Sequence, residues 1–181
     1  MPEPHGQKNA STSGEPLASL LRTALGMERQ LAETLPELIS ETPDPMLRKE
    51  LEEHLEETRE HVQNVEEVFR AFGQEPSAAA DPLLESLRAE HQALIDRTAG
   101  GQRMLTVVAT AAAAEHVEIA RYEVLRALAE SRRNSRAVEL IVRTLDQERQ
   151  ALKLVCESMH RLLGQPGVEP ELVETARDAR A

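Results

Sequence analysis

QRMLTVVATAAAAEHVEIARYEVLRALAE, residues 102–130, is the stretch whose reading decides the fold. Stepping three and four residues along it picks out Met104, Val108, Ala111, Glu115, Glu118, Tyr122, Leu125 and Ala129. That period is helical, and it holds without interruption by Gly or Pro. A helix of this length runs about 43 Å, enough to span a bundle from end to end. Its seam is apolar except for two adjacent acidic steps, Glu115 and Glu118.

Working outward, SRRNS (131–135) is a turn, and a second periodic stretch follows from about Arg136 to Leu163. Its seam reads Val138, Ile141, Leu145, Glu148, Leu152, Val155, Met159 and Leu162, with one acid among apolar steps. Upstream, a shorter amphipathic helix fits 82–97, closed by Gly100–Gly101. Earlier still, a helix from Leu17 to about Ser40 carries Leu17, Leu21, Ala24, Glu28, Leu31, Leu35 and Leu38, with Pro36 expected to kink its last turn. ETPDP (41–45) breaks the chain, and a further helix runs from about Met46 to Phe72, ended by GQEPS (73–77). The seam of that helix is less clean: Leu47, Glu50, His54, Glu57, His61, Val65, Val68 and Phe72, or the same stripe shifted by one residue. Residues 1–16 are polar and broken by Pro and Gly, which predicts a disordered tail, and 164–181 read as a short helix or tail.

The layout is two long helical hairpins joined by a connection of roughly 28 residues with its own short helix. Short loops make antiparallel neighbours, and one long crossover between hairpins is the ferritin-like four-helix arrangement, here over 17–163. Composition agrees. Of 181 residues, 40% are hydrophobic but only 2% aromatic, which suits Leu-, Val- and Ala-rich helices better than a β-sandwich. The formal charge of −11 argues against nucleic acid or an anionic membrane as partner. A single cysteine, Cys156, excludes an internal disulfide and reads as a small buried hydrophobe. With no leader-like segment and no long apolar run, the expectation is a cytoplasmic protein.

The acids share one height. Glu28 and Glu57 are equidistant from the first turn, and Glu118 and Glu148 are centred on Arg133 in the second; Glu115 with Glu148 centres on the same loop. Each stands about 22 Å from its turn. A bare carboxylate in a core costs several kcal/mol, and neighbouring carboxylates also repel; divalent cations remove both penalties. Oxygen-rich sites with one or two imidazoles suit iron or manganese, and zinc less well. The predicted metal ligands are therefore Glu28, Glu57, His61, Glu115, Glu118 and Glu148. His54 is expected to be a neighbour of the ligands or a core residue, His116 to point away, and Glu157-x-x-His160 to lie about 13 Å off level. Tyr122, one turn from Glu118, is assigned to packing. The competing reading is an acid cluster neutralised by protons or by Arg29, Arg59, Arg121 and Arg149, in a non-catalytic bundle that serves as an interaction or scaffold protein.

MERQL (27–31), HLEET with VQNVEEVF after it (54–69), AFGQEPS (71–77), AEHVEIARYEVLRALAE (114–130) and TLDQE (144–148) together resemble the YciE/YciF-like family. These are ferritin-like bacterial proteins associated with stress responses. The resemblance implies a di-iron-type site with Glu28, Glu57, Glu115, Glu118 and Glu148 as acidic ligands. It also implies assembly as a homodimer or small homo-oligomer, and the leading expectation is a metal-binding protein that engages iron or manganese and reacts with dioxygen or peroxide. Leu152 stands where relatives often carry an acid, which would leave the last helix short of one ligand; Val117 stands where an aromatic is common.

Overall fold

The computed structural model describes residues 15–164, and the expectations for the first 14 residues and for 165–181 lie outside that range. Five helices follow one another: α1 (Glu15–Glu41), α2 (Pro45–Ala71), α3 (Pro82–Ile95), α4 (Gly100–Ser131) and α5 (Ser135–Leu163). No strand occurs among the described residues. α1 packs on α2 and α4, and α5 packs on the same two helices, so the bundle runs α1–α2–α5–α4 around its axis. Joined to α3, which lies against α4, this is the all-α, ferritin-like bundle.

Local chemistry sets the ends. Asp44 caps α2 by accepting from Leu47 N at 2.8 Å, with Pro45 in the first turn, where its missing N–H costs nothing. Asp81 caps α3 in the same way ahead of Pro82, and Asn134 caps α5. α2 ends with Gly73 at φ +67°, and Gln74 N donates back to Phe69 O, the closure that a left-handed glycine permits. Several expected boundaries move. Glu15 and Pro16 belong to the first turn of α1, and α1 continues unbroken through Pro36 to Glu41. Gly100 and Gly101 open α4 rather than closing α3, which already ends at Ile95. Cys156 is half-buried, because it lies beside the α5 seam and not on it.

The crossover is pinned to the bundle at two points. Ala79 N donates to Arg22 O at 2.9 Å, and the segment passes so near α1 that a Cβ on Gly26 would stand 1.7 Å from Ala79 O. Asp81, fully buried, meets Arg121 of α4 while it caps α3.

Two apolar clusters fill the bundle. One, with Leu21, Leu25, Phe69, Leu125 and Ile141, occupies the end near the crossover's start. The other, with Leu38, Leu47, Ile95, Val107 and Leu162, occupies the opposite end. A polar layer separates them.

Candidate metal centre

Four helices build that layer. α1 supplies Glu28, α2 supplies His54 and His61, α4 supplies Glu115, Glu118 and Tyr122, and α5 supplies Glu148. Glu28, Glu118, Glu148 and His61 are fully buried, Glu115 is 3% exposed and His54 is 7% exposed. Their potential donor atoms converge in two groups, one of Glu28, His61 and Glu148, the other of His54, Glu115, Glu118 and Glu148. Within each group the donors lie within 4.8 Å of one another, and Glu148 belongs to both.

In the first group, His61 Nδ1 stands 2.9 Å from Glu148 Oε1 and 3.6 Å from Glu28 Oε2. The far ring nitrogen, Nε2, meets Gln147 Oε1 at 3.2 Å. Tyr122 donates its hydroxyl to Glu28 Oε1. In the second group, His54 Nε2 lies 3.2 Å from Glu115 Oε1, and its Nδ1 faces Glu57 Oε2 at 3.7 Å.

Burial and mutual repulsion decide the charges. Burial, then Glu148, Glu115 and Glu28, push the Glu118 carboxyl well above its ordinary range. Burial also raises Glu115 to about 8, although the nearby His54 opposes the shift. Glu28 is raised by burial against the pull of His61. Burial works against a charged His61, but Glu148 and Glu28 outweigh it and hold the ring up at about 11. His54, also penalised by burial, is held at about 9 by Glu115 and Glu57. Glu148 alone among the four acids of the layer is lowered, because His61 and His54 overcome its burial.

The structure brings five of the six sequence-predicted ligands together: Glu28, His61, Glu115, Glu118 and Glu148. It does not bring Glu57 into either group. Glu57 is turned about 60° round α2 from His54, towards α5, and its side chain is 40% exposed. Thr58 occupies the inward position instead, between the two histidines. His54, read from sequence as a neighbour, is thus a member of the second group. Its signal was present: His54 and His61 are seven residues apart, two turns on one face. Tyr122, assigned to packing, also hydrogen-bonds Glu28. Leu152 lies beside the α5 seam, where Ala151 is the buried residue, so α5 brings only Glu148 to the layer while α2 brings two imidazoles. His116, Glu157 and His160 are exposed.

The arginines proposed as neutralising partners turn elsewhere. Arg29 pairs with Glu66, Arg59 with Glu56, Arg121 with Asp81, and Arg149 with Glu123 and Asp146. With the carboxylates ionised, one oxygen each of Glu28 and Glu115 and both oxygens of Glu118 have no hydrogen-bond partner in the protein, and the Glu148 carboxylate is met by the His61 ring at Oε1, 2.9 Å away. Orphaned buried carboxylate oxygens beside two imidazoles are a donor set that fits divalent cations. Four carboxylates and two neutral imidazoles also match two such cations charge for charge.

The family described as Domain of unknown function (DUF892) matches residues 12–165. Protein YciF of Escherichia coli K12 is 28% identical over 143 residues, covering 78% of this chain and 86% of its own length. The crystal structure of that E. coli stress protein superposes with a TM-score of 0.81 over 86% of this chain and 99% of the other, at 25% identity. YcfI from Rhodopseudomonas palustris gives 0.78 over 84% and 98%, at 29% identity. A protein from Xanthomonas campestris pv. campestris gives 0.69 over 93% and 99%; at 22% identity it shows the fold alone.

Proposed function

Since this chain belongs to the DUF892 family, YciF-like helical proteins with a buried carboxylate–histidine cluster in this member, we propose that it is a two-metal protein. Glu28 and His61 would hold one cation, His54, Glu115 and Glu118 the other, and Glu148 both. The observation that carries this reading is the set of buried carboxylates that α1, α4 and α5 aim at one layer, most of their oxygens without a hydrogen-bond partner, facing two buried imidazoles from α2. Iron fits the mixed oxygen and imidazole donors best, manganese next and zinc less well. Iron or manganese held there would supply electron exchange with dioxygen or peroxide.

The chain's own residues prepare the layer. Gln147 Oε1 can take the His61 Nε2–H, leaving Nδ1 to face Glu148 and Glu28. Tyr122 fixes Glu28 through Oε1 and leaves Oε2 towards His61. The two apolar clusters above and below exclude bulk water from the layer.

One observation favours a scaffold instead. His61 and Glu148 can form an internal ion pair, so part of the cluster balances its charge without metal. Elemental analysis of purified protein beside Glu148→Ala separates the two. The expected result is near two iron or manganese per chain, lost in the variant because both groups use Glu148. No metal, with no change of melting temperature on adding Fe(II) or Mn(II), would leave the scaffold.

A further inference from the structure

The polar layer is not covered equally on its four sides. The crossover lies over α1 at Gly26 and is tied to α4 through Asp81 and Arg121. Arg29–Glu66 bridges the α1/α2 seam, and Arg149–Glu123 bridges the α4/α5 seam. On the α2/α5 seam, Arg136–Glu67 and Arg143–Glu60 close the part nearer the 132–134 loop. Beyond Glu60 that seam opens into a cleft of about 60 Å³.

Exposed Glu53 and Gln150 and half-exposed Glu57 line the outer part of the cleft, and buried His54 and Glu115 line its base. Two of those buried atoms, His54 Nδ1 and Glu115 Oε2, have no hydrogen-bond partner in the protein. The volume holds a few waters, or a cation with part of its hydration shell. Glu57 makes no close hydrogen bond: its carboxylate faces His54 Nδ1 from 3.7 Å, an ion-pair separation at the rim of the cleft. The series Glu57, His54, Glu115 therefore leads from solvent to the second donor group in steps of 3.7 and 3.2 Å. A larger groove adjoins at Glu57 and Gln150, but Gln147 closes its floor by its contact with His61.

We propose that divalent cations reach the buried cluster through this α2/α5 cleft, with Glu57 as the carboxylate that captures them at the mouth and passes them to His54 and Glu115. The assignment rests on the two-metal reading. It gives Glu57 a kinetic role: a carboxylate at the rim of a low-dielectric cleft raises the local cation concentration without being needed for the final coordination. It also makes the His54 group the first to fill.

The protein carries its own reporter. Tyr122 is the one tyrosine, there is no tryptophan, and its hydroxyl contacts Glu28. Stopped-flow mixing of the metal-free full chain with Co(II), followed by Tyr122 fluorescence, reads uptake; an equilibrium titration of the same samples reads affinity. Glu57→Gln is expected to slow uptake by roughly threefold or more at low ionic strength, with release slowed equally and affinity unchanged. Gln150→Lys, which sets a positive charge at the mouth, should slow it as well. Glu56→Gln, an exposed change of the same charge away from the cleft, should match the wild type. Unchanged uptake in both mouth variants would overturn the route. A loss of affinity of about 10- to 100-fold in Glu57→Gln with normal uptake would overturn it too, since that is the signature of a group orienting His54. Absence of Co(II) binding by the wild type would remove the two-metal reading along with the route, whereas binding with equal rates removes the route alone.

Discussion

The two halves of the polar layer hold similar groups in different surroundings. Around Glu28 and His61 each side chain has a second attachment, Tyr122 for the carboxylate and Gln147 for the imidazole. Around Glu115 and Glu118 such attachments are missing, since both Glu118 oxygens and Glu115 Oε2 have no hydrogen-bond partner, and His54 Nδ1 has only the Glu57 carboxylate at 3.7 Å. On the two-metal reading, the first half would be the better held before a cation arrives, and the second the more adjustable, beside the cleft. Buried polar groups are tolerated either when paired or when a ligand completes them, and on the two-metal reading this layer would lean on the first in one half and on the second in the other.

Three measurements would break or sharpen that contrast. The largest effect is expected from removing one imidazole at a time. His54→Ala should lower metal content from near two to near one per chain, because the Glu28–His61–Glu148 group survives it. His61→Ala should also leave near one, now in the His54–Glu115–Glu118–Glu148 group; loss of both ions in either variant would mean that the halves act as one unit.

Next in size is the response of the metal-free protein to pH. Glu115 is raised from 4.5 to about 8 and His54 from 6.5 to about 9, so between those values the folded chain holds protons that the unfolded chain releases. Their stabilisation is complete below the unfolded values and is lost as pH rises through the folded ones. The melting temperature should therefore fall from pH 6.5 to 9, by more than about 5 °C. Saturating Mn(II) should remove the fall, because cations take the place of the released protons. A melting temperature that rises with pH in the metal-free protein would show that the open half is not protonated.

Smallest is the effect of Gly26→Ala, which tests the covered side. The new methyl would meet Ala79 O, so the crossover must shift at a cost of about 1–3 kcal/mol. Urea denaturation gives that number, and hydrogen exchange at α1 amides near Glu28 should rise. Unaltered stability would mean that the crossover does not clamp α1.

Much of this was legible in residues alone. Each long helix announced itself by its seam, and Glu28, Glu115, Glu118 and Glu148 announced themselves by interrupting seams at one height. α2 was harder to read. Its stripe contains His54, Glu57 and His61, any of which fits a helical face if the face is turned by part of a residue. Packing against α5 settled the turn, placing Thr58 inward and Glu57 at the rim. The second attachments were hidden for another reason. Gln147–His61 and Tyr122–Glu28 join residues 86 and 94 positions apart, and no local spacing encodes such pairs.

By itself, the sequence determined the helices, their antiparallel hairpins and the acids at mid-length, because periodicity and loop length are local properties that fix which residues share a face and a level. Only the tertiary structure decided which histidines join the acids, which arginines leave them, and which side of the layer the crossover covers. Those depend on the rotation of each helix about its own axis, and that rotation is set by the summed packing of four neighbours rather than by any one helix's pattern.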